Sequence, residues 1–224
     1  MIRAAIFDVD GTLIDSVDAH ARAWQIALEH FGHPQPFDKI RHQIGKGGDQ
    51  LMPVFLSREA LERQGEALEK FRGEVYKREF MPNIRPFDSV RELFLKMRTA
   101  NIQTVLASSA KGDELEYYKQ LCNIGDLIEG NTSADDAEKS KPHPDIFQAA
   151  LAQLNNVQPG EAMVIGDTPY DAIAAARAGM PSIGMLCGGF PAQELLDAGC
   201  IRLYRDPADL LAQFEASPFA RRAA

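Results

Sequence analysis

Short apolar runs recur along this chain, and each gives way to polar residues and then to a helical pattern. The clearest are Ala4-Ala5-Ile6-Phe7, Thr104-Val105-Leu106-Ala107, Ala162-Met163-Val164-Ile165 and Ser182-Ile183-Gly184-Met185. Leu127-Ile128 and Ile201-Arg202-Leu203 are shorter members of the series. Runs of this length, closed by turn residues, read as buried strands, the first extending over residues 4–9. Strands that alternate with helices imply βαβ units with right-handed crossovers. The expected fold class is α/β, a doubly wound parallel sheet.

One region departs from this alternation. From Ser16 to Phe31 the apolar residues Val17, Ala21, Trp24, Leu28 and Phe31 recur every three or four positions, as in an amphipathic helix, and Gly32 and Pro34 end it. Residues 35–80 are rich in charge and have no β-branched run, so they are also expected to be helical. Gly45-Lys46-Gly47-Gly48 interrupts them as a loop, and Pro82 and Pro86 mark the exit. The expected organisation is an α/β core from residues 1–15 and 83–224, with an all-helical insert over residues 16–82.

The composition narrows the class of function. At 224 residues, 45% hydrophobic and 25% charged, the chain can bury a core without disulfides. A net charge of −8 repels a polyanion, so nucleic acid is excluded as the expected partner. No run approaches the ~18 apolar residues of a membrane span, and the apolar stretch before Asp8 is too short for a signal peptide. Cys122, Cys187 and Cys200 form no metal motif and read as reduced thiols of a cytoplasmic protein. There is no GxxxxGK[ST] and no GxGxxG after a strand.

In open α/β sheets ligands bind beyond the carboxyl ends of the strands, so the residues that follow each strand carry the functional information. Asp8 and Asp10 follow the first strand, two positions apart and on the same side. They read either as turn formers or as paired carboxylates that need a cation between them. Ser108 and Ser109 follow the second, suited to capping a helix or to holding a phosphate. Lys141, held extended before Pro142, is either a solvated lysine or a counter-charge for phosphate or acid, while Lys139 reads as solvated. Gly166-Asp167-Thr168-Pro169-Tyr170-Asp171 follows the fourth. Thr168 is the expected helix cap, Pro169 the first helical residue and Asp171 the reciprocal capping partner. That leaves Asp167 without a structural role and makes it a candidate metal ligand. Together these strand ends suffice for metal-assisted phosphoryl transfer through a carboxylate.

Asp8-Val9-Asp10-Gly11-Thr12, Ser108, Lys141 and Gly166-Asp167-Thr168-Pro169-Tyr170-Asp171 resemble the four ordered motifs of the haloacid dehalogenase superfamily. The pattern is similar to its phosphoglycolate phosphatase and β-phosphoglucomutase branch, with a Rossmann-like core and a helical cap. The resemblance implies a Mg²⁺-dependent phosphatase acting on a small phosphorylated metabolite. Asp8 is then the nucleophile that becomes an aspartyl-phosphate, and Asp10 the acid/base. Ser108 binds phosphate, Lys141 steadies nucleophile and phosphate, and Asp171 lies outside the direct ligands. The implied Mg²⁺ ligands are Asp8, Asp167 and the backbone carbonyl of Asp10. An acid at position 10 favours a phosphate ester over a halogen–carbon bond, because dehalogenating members lack it.

The insert is expected to bring substrate-binding residues. His20 resembles a cap histidine that assists proton transfer in the mutase branch, and reads equally as a packed helix residue. Lys46 and Gly47 lie on a loop that could close over the site; Lys46 is either a substrate-reading or a solvated lysine. Ser109 is a further candidate for phosphate. A sugar-phosphate mutase is the alternative reading, phosphonoacetaldehyde hydrolysis through Lys46 a further one. A receiver-like phospho-acceptor domain is disfavoured by the acid at position 10 and by the helical insert.

Overall fold

The computed structural model describes residues 1–220. The chain begins with β1 (Ala4–Phe7) and runs into a helical segment. That segment comprises α1 (Val17–His30), α2 (Phe37–Arg41), α3 (Gly48–Phe55) and α4 (Arg58–Val75), followed by a π-helical turn (Tyr76–Phe80) and a 3-10 turn (Met81–Asn83). Alternation then sets in. α5 (Val90–Thr99) leads to β2 (Gln103–Ala107), α6 (Gly112–Cys122), β3 (Gly130–Thr132) and α7 (Asp145–Ala152). β4 (Ala162–Gly166), α8 (Pro169–Arg177), β5 (Ser182–Met185), α9 (Ala192–Asp197), β6 (Cys200–Tyr204) and α10 (Pro207–Ala212) complete it.

The six strands form one parallel sheet in the order β3-β2-β1-β4-β5-β6. Its centre is apolar on both faces, as a sheet covered by helices on each side requires. Side chains alternate across the sheet. Ala5, Phe7, Leu106, Met163 and Ile165 pack with Leu93, Phe94 and Tyr118 on one face. Ala4, Ile6, Val105, Val164 and Ala107 pack with Ile146, Phe147 and Ala174 on the other. The helical segment builds its own cluster, in which Trp24 and Leu28 of α1 meet Leu51 of α3 and Leu68 of α4.

The register of the three central strands sets the position of the site. Phe7 is level with Leu106 of β2 and Ile165 of β4. The residues that leave these strands therefore emerge side by side: Asp8 from β1, Ser108 from β2 and Asp167 from β4. The Asp8 amide still donates to the Ile165 carbonyl at 2.8 Å, so Asp8 is fixed by the sheet itself.

Two local expectations are corrected. The third strand is Gly130–Thr132, not Leu127-Ile128. Leu127 is a buried core residue in a turn, its amide bonded to the Ile124 carbonyl, and its own carbonyl accepts from Thr104 Oγ1 at 2.7 Å. The strand is an edge strand fixed by pairing with Val105, Leu106 and Ala107, so it needs no apolar run. Ser108 and Ser109 do not cap a helix, because α6 starts only at Gly112 after Lys111. Ser108 Oγ instead accepts from the Ala110 amide at 3.0 Å within a turn.

Among the described residues no helix is long and apolar enough to cross a membrane.

Candidate active site

Three buried carboxylates, Asp8, Asp167 and Asp171, each place an oxygen within 4.8 Å of the others. One ammonium serves them. Lys141 is 1% exposed, bonds Asp8 Oδ1, and lies 2.7 Å from Asp171 Oδ1. Its Nζ also donates to the Ala107 carbonyl at the end of β2, at 3.4 Å. Lys141 therefore joins the ends of two strands to the first turn of α8. Thr12 spans the remaining gap: its hydroxyl lies 3.0 Å from Asp167 Oδ1 and 3.3 Å from Asp8 Oδ2.

Asp171 has the structural role that its spacing implied. Its Oδ2 accepts from the Thr168 amide at 3.1 Å and the Thr168 hydroxyl at 2.7 Å, and Pro169 opens α8. Asp167 has no such role. Its Oδ2 is buried with no hydrogen-bond partner among the described residues.

The charges do not balance, and the titration of the groups reflects that. Burial pushes the Asp8 carboxyl up to about 7; Lys141 opposes the rise, and Asp171 and Asp10 add to it. Burial likewise lifts Asp167 well above the carboxylate range, reinforced by Asp8 and Asp171. Burial works against the Lys141 ammonium, but Asp171 and Asp8 outweigh it and raise Lys141 above its ordinary value. Three carboxylates against one ammonium require a proton or a second cation. The orphaned Asp167 Oδ2, beside Asp8, is an anionic oxygen pair of the kind a hard divalent cation takes.

Asp10 faces the other way. Its Oδ1 accepts from Ser16 Oγ at 2.7 Å and lies 2.8 Å from His20 Nε2, and Ser108 Oγ is 3.4 Å from its Oδ2. Burial alone would raise its carboxyl; His20 and Ser16 outweigh that and hold it below the usual value. Its side chain is thus outside the three-carboxylate group, and only its backbone carbonyl is left for the metal role that the resemblance implies. The His20 ring stacks on Tyr76 at 3.9 Å, and the Tyr76 hydroxyl meets that of Tyr118.

Above Asp8 and Asp10 lies a cavity of about 260 Å³. His20, Lys46, Gly47 and Ser109 all line it, so the four substrate-binding candidates share one space with the acids. Ser108 is fully buried beneath it. Lys46 Nζ donates to Gln43 Oε1 at 2.6 Å and sits 4.6 Å from the Tyr170 ring centre; burial lowers its pKa. The helical segment is tied to the sheet side at several points. Tyr170 Oη donates to the His42 carbonyl at 2.7 Å, Arg41 to the Gly188 carbonyl at 3.1 Å, and the Ser140 amide to Asp49 Oδ2 at 3.2 Å.

Sequence reasoning missed Thr12, Ser16 and Gly188 as parts of this site. Thr12 stands inside the first motif and could have been found there. A methyl group at Gly188 would overlap the Asp167 carboxylate, a constraint signalled only by the pair Gly188-Gly189 after β5.

A doubly wound sheet carries this carboxylate and lysine set at its carboxyl edge, where a cavity lined also by the helical segment after β1 opens over it. The chain belongs to the haloacid dehalogenase-like hydrolases, whose family model matches residues 5–185. It is similar to a phosphorylated carbohydrates phosphatase of Thermotoga maritima, at 29% identity over 94% of this chain and 97% of the other. It is also similar to the validoxylamine A 7'-phosphate phosphatase of Streptomyces hygroscopicus subsp. limoneus, at 27% identity over 83% and 86%. The crystal structure of a hydrolase from Pseudomonas syringae superposes with a TM-score of 0.86 at 31% identity, covering 95% of this chain and 98% of that one.

Proposed function

We propose that this enzyme is a Mg²⁺-dependent phosphatase that releases phosphate from a small phosphate monoester through an aspartyl-phosphate on Asp8. The observation that carries this reading is the placement of Asp8, bonded to Lys141 and beside the unpartnered Asp167 Oδ2, at the floor of a cavity that Asp10 also lines. Relatives that act on phosphorylated carbohydrates and on validoxylamine A 7'-phosphate support a metabolite of that size, of the phosphoglycolate or sugar-phosphate type.

Asp8 attacks phosphorus through the carboxylate oxygen turned to the cavity. Lys141 neutralises part of the charge that accumulates as carboxylate and phosphate approach, a repulsion strong in a buried site. Asp10, held by Ser16 Oγ and His20 Nε2 as an anion, passes a proton drawn from His20 to the departing alkoxide. It then takes a proton from the water that cleaves the acyl phosphate, returning Asp8. Ser108 donates to the phosphate oxygens. Asp8 and Asp167, with the Asp10 carbonyl, would hold the Mg²⁺, which when bound supplies charge neutralisation at the transferring phosphoryl group. The helical residues 16–82 act as a cap over a core of residues 1–15 and 83–224, excluding bulk water from the acyl phosphate. The three unpaired cysteines support a reducing, cytoplasmic setting.

Phosphate release from a panel of sugar phosphates, phosphoglycolate and nucleotides tests this. Release with Mg²⁺ that disappears with chelator and in Asp8→Asn is the expected result. Release unaffected by either change would refute it. The mutase reading is favoured only by the His20–Asp10 contact, and an absolute requirement for a bisphosphate activator would support it.

A further inference from the structure

We infer that Arg41, at the end of α2 in the helical segment, is a positioning residue for the metal site: it holds the turn after β5 against the Asp167 carboxylate. Cation affinity then depends on a residue outside the ligand set. This rests on the assignment of Asp167 to the metal and deepens it.

Bare backbone encloses the Asp167 carboxylate from two sides. A methyl group at Gly11, in the loop after β1, would come within 2.4 Å of Asp167 Oδ2, and one at Gly188, in the turn after β5, within 1.8 Å. The carboxylate oxygen without a hydrogen-bond partner therefore lies between two α-carbons that carry no side chain. Packing this close fixes a carboxylate only where both backbones are themselves fixed. The Gly11 amide donates to the Ile14 carbonyl at 2.9 Å, which closes the first loop. The Gly189 amide donates to the Leu186 carbonyl at 3.0 Å, which closes the second. Cys187 Sγ ties the two together by donating to the Gly11 carbonyl at 3.2 Å.

The helical segment holds the turn from its other side. Arg41 Nη2 donates to the Gly188 carbonyl at 3.1 Å, and Arg41 Nε donates to Asp18 Oδ1 of α1 at 2.7 Å. The guanidinium also occupies the space beside the exposed Gly189, where a methyl group would lie 2.6 Å from Nη2. Asp18 thus aims the arginine fork, and the fork holds the peptide that packs on Asp167. The helical segment's bonds to Tyr170 and to the Ser140 amide go to α8 and to the stretch before α7, and neither involves Gly188.

The Asp18 carboxylate is mostly exposed, so its ion pair with Arg41 adds little to folding. The effect of Arg41 is on geometry, and partners that orient a metal ligand commonly change affinity by tenfold or more. Linkage makes that effect reciprocal: whatever Arg41 adds to cation binding, the bound cation adds to the hold of Arg41 on the turn.

Equilibrium binding of Mn²⁺ to the substrate-free full chain tests this apart from turnover, with the free ion counted by paramagnetic resonance. Mn²⁺ takes the same oxygen donors as Mg²⁺. Arg41→Gln is expected to raise the Mn²⁺ Kd about tenfold. Arg41→Lys is expected to recover part of the loss, because an ammonium still donates to a carbonyl. Tyr170→Phe, which removes a bond between the helical segment and α8, is expected to leave Kd unchanged. Hydrogen exchange reads the reciprocal effect at the Ile44 amide, which donates to the Arg41 carbonyl at 3.1 Å. Mn²⁺ is expected to slow that exchange in the wild type and not in Arg41→Gln. A Kd that Arg41→Gln leaves unchanged, or that Tyr170→Phe raises equally, overturns the inference while the metal assignment stands. Mn²⁺ binding that Asp167→Asn leaves unchanged would sink the metal assignment and the inference with it.

Discussion

His20 Nε2 lies 2.8 Å from Asp10 Oδ1, although one residue belongs to the first helix of the insert and the other follows the central strand. The contact makes the protonation of Asp10 depend on the helical segment. Burial raises the Asp10 carboxyl, and His20 with Ser16 reverses that. His20→Gln should therefore raise the Asp10 pKa and move the corresponding limb of the pH–rate profile to higher pH. The rate should fall on the order of 10²-fold, the scale of a misplaced acid/base. A profile that stays in place would show that His20 is only a packing residue stacked on Tyr76.

Metal affinity should be linked to pH through Asp8 and Asp167. The Asp8 pKa of about 7 lies above its ordinary 3.8, so the metal-free folded state holds a proton that the unfolded state releases. The stability this gives is complete below about pH 4 and is lost as pH rises through about 7. A divalent cation takes the proton's place at the higher pH. The rise in Tm on adding Mg²⁺ should therefore be larger near pH 8 than near pH 5, by scanning calorimetry. A rise that is equal at both, or larger near pH 5, contradicts the assignment of these carboxylates to the metal.

Lys141 is the counter-charge of two buried acids, and its removal leaves them facing each other. Lys141→Met is expected to abolish activity and to lower stability by about 3–5 kcal/mol near pH 8, the cost of breaking a buried ion pair. The loss should shrink near pH 5, where Asp8 takes up a proton. Urea denaturation at the two pH values measures both. A variant as stable as the wild type near pH 8 would mean that other groups neutralise the cluster.

Gly188→Ala separates metal binding from folding. The added methyl would press on the Asp167 carboxylate, while the Gly188 backbone is not in the left-handed region. The Mg²⁺ concentration for half-maximal activity should rise about tenfold to hundredfold. An unchanged requirement would argue that Asp167 does not hold the metal.

The site was legible in the sequence where strand ends alone define it. Asp8, Ser108 and Asp167 are legible from the apolar runs before them, because a parallel sheet brings successive carboxyl ends to one edge, whereas the run before Lys141, Leu127-Ile128, is not a strand. Asp171 was readable for a different reason, since a capping box is a local spacing. β3 was not readable: Gly130, Asn131 and Thr132 carry no apolar signal, and their strand exists through pairing with β2. The neighbours of His20 were equally hidden. Tyr76 lies far from it in sequence and stacks on it only in the folded chain, where the Tyr76 hydroxyl in turn meets that of Tyr118 on α6.

Covalent transfer to Asp8 is the central claim, and acid-quenched turnover tests it most directly. The enzyme is mixed with Mg²⁺ and its best phosphate ester, quenched within a turnover, digested and examined by mass spectrometry. One phosphoryl group on the peptide that holds Asp8, absent without substrate and absent in Asp8→Asn, is the predicted result. A phosphoryl group on another residue, or full turnover by Asp8→Asn, would contradict it.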